Sequence, residues 1–148
     1  MRADTALIFK KLGELYDGKK DLLTQIANRC SLQSSLLEAE DFSAISDSIN
    51  ENTHLISLID SLDYEITAAL DELLRITGMD KKTLDIFLSE NNESETVALR
   101  KHKNECAATL NTASVLFNIF LDAVQTKAHG YLVDIRELER IARIRELL

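Results

Sequence analysis

The stretch DFSAISDSINENTHLISLIDSLDYEITAALDELLRITG, residues 41–78, decides the fold. Its apolar residues step by three and four: Phe42, Ile45, Ile49, Ile56, Ile59, Ile66, Leu70 and Leu73, with Asn52 and Asp63 filling the remaining places in the rhythm. This is the a/d pattern of a helix packed along a seam. A helix of about 35 residues is ~50 Å long at 1.5 Å per residue. Propensity alone does not hold such a helix in water, so the stripe requires neighbours. Asp41 is suited to N-cap it, its carboxylate accepting from free N–H groups of the first turn. Gly78 is suited to the C′ position, where φ > 0 carries no Cβ clash. Asn52 and Asp63 either fix the register of the seam or mark where it widens to solvent.

Working outward, residues 4–39 carry the same rhythm in Ile8, Leu12, Leu15, Leu22, Ile26, Cys30 and Leu37, interrupted by Lys19 and Gln33. The stripe keeps its phase across Asp17-Gly18, which predicts one helix. The short turn Ala39–Asp41 makes the first two helices antiparallel neighbours. After Gly78, Asp80 caps a short helix over Lys81–Leu88, and Ser89–Ser94 reads as a polar loop whose last residue is suited to cap the next helix. A third long helix is expected over 95–128, with Leu99, His102, Cys106, Leu110, Ala113, Phe117, Phe120 and Val124 on its stripe. Gly130 is expected to end or kink it. Residues 131–148 then predict a separate amphipathic helix, with Ile135, Leu138, Ile141, Ile144 and Leu148 on one side and Arg136, Arg140 and Arg143 on another.

The expected fold is all-α: one domain over residues 1–148, an antiparallel bundle of three long helices with a short connecting helix and a C-terminal amphipathic helix. Residues 131–148 are free to act as a mobile partner-binding helix. The alternative is a dimer sharing long helices between chains. Composition agrees. The chain has no proline and four glycines among 148 residues, which favours long uninterrupted helices. Aromatics are 5%, without tryptophan, so Leu, Ile and Ala must form most of the core. A net charge of −8 repels nucleic-acid phosphates and anionic lipid surfaces alike. Cys30 and Cys106 fall on apolar stripes and read as small hydrophobes. No basic-plus-apolar leader and no apolar run near 18 residues is present, which predicts a cytoplasmic protein without membrane insertion.

Catalytic machinery is hard to find. Glu51 and His54 have the Glu-x-x-His spacing of di-iron bundles, but no second copy exists, since Leu99 and Thr126 precede His102 and His129. None of the histidines sits in a phosphotransfer-domain pattern such as His-x-Leu-Lys-Gly. No glycine-rich phosphate loop or nucleophile elbow occurs. The chain is therefore read as non-catalytic, with no cofactor and no metal. The last helix is the best functional candidate, either as a partner-binding element or as the closing helix of the bundle.

Residues Leu15, Lys19, Lys20, Leu22 and Leu23, the run Gln33 to Phe42, and Ile45, Ile49, Glu51, Leu55, Ile56, Ile59, Asp60, Leu62 and Asp63 resemble the flagellar FlgN-type export chaperone family. The likeness covers residues 5–75, with a weaker echo around Asn118; the ending departs from the family, since a helix runs past Gly130. The resemblance implies a small cytosolic all-α chaperone that holds hook-associated (hook–filament junction) proteins before export through the type III flagellar apparatus. It also implies that the C-terminal helix binds the partner, here through Leu132, Ile135, Leu138, Ile141 and Ile144, with Arg136, Arg140 and Arg143 at the rim. The alternative is a structural or regulatory helical adaptor unrelated to flagella, closing its own apolar face as a homodimer.

Overall fold

A computed structural model describes residues 2–147, with all their side chains except those at 132, 133, 137, 138, 141 and 145–147. It contains four helices and, among the described residues, no strand: α1 Ala3–Glu38, α2 Phe42–Thr77, α3 Lys81–Glu90 and α4 Ser94–Leu147.

The signals at the helix ends act locally as their chemistry dictates. Asp41 accepts from the Ala44 N–H at 3.2 Å and caps α2, while Gly78 at φ 68° closes it. Asp80 accepts from Thr83 N–H at 2.7 Å and caps α3. The polar loop is shorter than the sequence suggests, because Ser89 and Glu90 still belong to α3. Asn91 turns the chain instead, its side chain accepting from Glu93 N–H, and Ser94 is already helical. Helix α1 runs unbroken through Gly13 and Gly18.

The largest departure is at Gly130. The expected separate helix over 131–148 does not exist; α4 is one helix of 54 residues, and Gly130 lies inside it. An interior glycine costs only about 1 kcal/mol relative to alanine. Anchors on both sides hold the helical phase across it: Lys127 pairs with Glu40 at 3.0 Å, and the Tyr131 ring meets Phe42 at 5.9 Å.

Helix α1 touches both other long helices. Its partners on α2 run in the opposite sense, Lys19 with Asp63 and Arg29 with Glu51. Its partners on α4 run in the same sense, Asp17 beside His102 and Lys20 with Glu105. The core forms three consecutive clusters along this axis, around Leu12–Leu73–Leu99, Cys30–Ile59–Cys106 and Leu37–Ile45–Phe120.

The polar interruptions in the two stripes meet one another. Lys19 pairs with Asp63 at 2.7 Å. Gln33, fully buried, donates to Ser48 Oγ at 3.0 Å and accepts from Asn52 Nδ2 at 3.2 Å. A one-turn slip of α2 against α1 would strand these groups without partners, so they specify register. Replacing Gln33 with alanine is expected to cost about 2–3 kcal/mol, because the buried Asn52 amide loses its acceptor. Urea unfolding checks this, and the combination Gln33→Leu, Ser48→Ala, Asn52→Leu should recover most of the loss.

Candidate functional site

The predicted seams of α2 and α4 are each half covered. On α2 the buried line is Ile45, Asn52, Ile59, Ile66 and Leu73, supported by Ser48, Leu55 and Ala69. The other expected line, Phe42, Ile49 and Ile56, is 50%, 44% and 48% exposed. On α4 the buried line is Leu99, Cys106, Ala113 and Phe120, whereas Leu110 and Phe117 are 42% and 43% exposed. The reason is packing: α1 covers one flank of each helix, and no described segment covers the other.

The two exposed lines belong to helices that flank α1 and pack little against each other. Both recur every seven residues, and they meet where Phe42 packs edge-on against Tyr131. From that contact α2 runs forward through Ile49 and Ile56, while α4 runs backward through Phe117 and Leu110. Each is an apolar line roughly 20–30 Å long at 1.5 Å per residue.

At the same end, α4 leaves the other helices through a clasp. Helix α1 closes with Asp41 N–H donating to Leu36 O and Glu40 N–H to Leu37 O. This pattern calls for a left-handed residue at Glu40, which adopts φ 59° despite its side chain. The strained residue is used: its carboxylate meets Lys127 on α4. That hydrogen bond, with help from the Tyr131 hydroxyl, holds the Glu40 carboxyl below its ordinary value, and Lys127 is raised in turn.

Beyond the clasp α4 projects for about 24 Å, from Tyr131 to Leu147. Ile135, Arg136, Glu139, Arg140, Ala142, Arg143 and Ile144 are all exposed. Of the sequence-derived candidates, Ile135, Arg136, Arg140, Arg143 and Ile144 therefore stand on the projecting helix; Leu132, Leu138 and Ile141 lie outside the described side chains. The expected single apolar side spanning Ile135 to Ile144 does not persist in a straight helix. Steps of three rotate the position by about 60° each at 3.6 residues per turn. Ile135 and Ile144 consequently fall on opposite faces. Counted by sevens, positions 131 and 138 continue the exposed line of Leu110 and Phe117, and 135 and 142 continue Leu121 beside it; Tyr131 and Ala142 are the members that the sequence reading passed over.

Elsewhere the sequence candidates are dispersed. His54 and His129 are exposed, and Glu51 pairs with Arg29. The His102 ring lies against Gly13, where an added Cβ would stand 3.2 Å from it. Cys30 and Cys106 are buried and unpaired by disulfide, and burial raises both thiols. Among the described residues, no three His, Cys, Asp or Glu side chains gather as metal ligands. A cleft of about 730 Å³ lies at the opposite end, between the starts of α1 and α4, lined by Leu7, Lys10, Gly13 and His102 among others.

One helix among the described residues, within Ser94–Arg136, is long and apolar enough to cross a membrane by length and composition. Its most apolar 18 residues have a mean hydropathy of 1.4 and are 11% buried. No protein-family model, curated protein or solved structure matches the chain.

Replacing Glu40 with glycine should leave the urea midpoint unchanged or higher, because the left-handed strain is relieved. It should also accelerate amide exchange over residues 127–134, because the clasp is lost. The clasp also has a defined pH range. Glu40 is depressed, so its contribution is present above the ordinary carboxyl value of 4.5 and lost as pH falls through the folded value. Lys127 is raised, so its contribution is present below 10.5 and lost as pH rises through the folded value. Exchange over 127–134 should thus be slowest relative to its intrinsic rate between these limits, and Glu40→Gln should remove the acid limb.

Proposed function

We propose that the chain is a non-catalytic, cytoplasmic protein-binding module whose three long helices form an up-down-up bundle presenting the end of α4 to a partner. The observation that carries this is the projection itself. A helix continues its exposed apolar line past the last contact with α1 and α2, flanked by Arg136, Arg140 and Arg143. An apolar line bordered by charge suits capture of an amphipathic helix. The resemblance to FlgN-type export chaperones supplies the partner class: hook-associated proteins held before export. Asn111, Asn118 and Asp122 on the outer side of α4 favour an aqueous over a lipid setting, since each would lose water in hydrocarbon.

Isothermal titration of the full chain with purified hook–filament junction proteins tests the reading. One-to-one binding is expected, weakened at least tenfold by Ile135→Asp and less by Arg140→Glu, which alters the rim. Absence of heat and of complex with every such protein would overturn the flagellar assignment. The adaptor reading would then stand, favoured by the exposed apolar lines on α2 and α4.

A further inference from the structure

We infer that the cleft between the starts of α1 and α4 binds an amphiphilic ammonium compound, its apolar chain lying over Phe9 and Leu99 and its cationic head at Glu14 and Asp17. The site is at the end of the molecule away from the clasp and the projecting helix, and the proposed function does not depend on it.

The cleft exists because the residues that would fill it are small. Ala3, Ala6 and Gly13 line it from α1, and Ala98 lines it from α4. None carries an atom beyond Cβ, so Phe9 and Leu99, each 2% exposed and part of the core, form its floor. The lining is predominantly apolar, and the volume of about 730 Å³ falls within the roughly 300–1,000 Å³ of small-molecule sites. Along α1 the cleft extends from Ala3 to Asp17, about 21 Å at 1.5 Å per residue. Just beyond, the Lys20–Glu105 ion pair bridges the two helices at 3.1 Å. A groove between the same helices resumes only past this bridge, lined by Thr24, Ser31, Thr109 and Thr112 among others. A docked helix would have to cross the bridge to gain length, whereas an extended chain with one polar end stops short of it.

Charge selects a cation for that polar end. Three carboxylates line the cleft, Glu14, Asp17 and Glu95, against a single lysine, Lys10. Glu95 lies in the first turn of α4, where it offsets the positive helix end, as Asp4 does on α1. Glu14 and Asp17 remain in excess over Lys10. They are neighbours one turn apart on α1. Glu14 has no ion-pair or hydrogen-bond partner among the described residues. The ion-pair partner of Asp17 is His102, whose Nδ1 is 3.7 Å away and forms no hydrogen bond. Beside a neutral imidazole the Asp17 carboxylate is free to accept from an ammonium N–H. At the margin of an apolar slot that attraction is stronger than in bulk water, because the local dielectric is lower. A carboxylate head in the same place would meet like charge.

An amide NMR titration of the full chain with n-octylammonium chloride tests the inference, with octanoate and n-octanol alongside. Saturable binding is expected, with shifts centred on Ala6, Gly13 and Ala98, and octanoate should bind at least tenfold more weakly. Glu14→Gln combined with Asp17→Asn should reduce the amine to the affinity of octanol. Asp60→Asn combined with Asp71→Asn removes the same charge from α2 and should change nothing, which separates the site from the general attraction of an acidic chain. Ala98→Phe should abolish binding of amine and octanol alike while leaving the helical circular-dichroism signal intact, because that position is exposed. The inference is overturned by an absence of saturable shifts up to about 5 mM amine, by equal affinity for octanoate, or by binding that survives Ala98→Phe. Binding of a Leu/Lys amphipathic peptide at these amides, where the amine does not bind, would also overturn it and make the cleft a helix-docking groove.

Discussion

An apolar stripe two lines wide needs a neighbour on each side, and the structure follows from how unequally that need is met. Helix α1 has both neighbours, so Phe9, Leu12, Leu23, Ile26, Cys30 and Leu37 are all buried. Helices α2 and α4 have one long neighbour each, with the short α3 against the start of α4. The same heptad pattern that yields a core line on each helix therefore also yields an exposed line. Burial of an aliphatic or aromatic side chain stabilises by about 1.5–3 kcal/mol. A row of half-exposed Phe, Ile and Leu is thus a standing drive towards association.

Polar residues give this otherwise uniform interface a single alignment. Leucine and isoleucine seams tolerate slippage by whole heptads, because each turn resembles the next. Lys19 with Asp63 and Gln33 with Ser48 and Asn52 differ from their surroundings, and each set pairs in one register only. The clasp at Glu40 adds a third fixed point, on α4. It uses a residue whose backbone conformation would suit glycine better, which indicates that its carboxylate is doing what a glycine there could not.

Much of this was legible in the sequence. Asp41, Gly78 and Asp80 marked helix ends because caps depend on one or two neighbouring residues. The all-helical class followed from the stripes and from the missing prolines. Periodicity does not report rotation, however. The spacing of Phe42, Ile45 and Ile49 was visible, yet which line would be covered depended on where α1 lies. Gly130 misled for a related reason: its local preference for ending a helix is worth little against anchors at Lys127 and Tyr131, whose partners are distant in sequence. The arginines of the projecting end were visible as an amphipathic pattern. The opposition of Ile135 and Ile144 emerged only once the helix was seen to be continuous, and the left-handed Glu40 had no sequence signal.

The central position of α1 also orders events during synthesis. Its first face is covered by α2, the next segment made, joined to it by a turn of a few residues. Its second face waits for α4, and the Lys20–Glu105 pair spans a sequence separation of 85. A nascent chain that has completed α2 is therefore a helical hairpin with one bare side until more than half as much chain again has been translated. Local pairing precedes such distant pairing because less chain must be closed. During that interval the bare side of α1 is open to other apolar surfaces in the cell, and the projecting end of α4, made after these segments, joins helices whose register is already set.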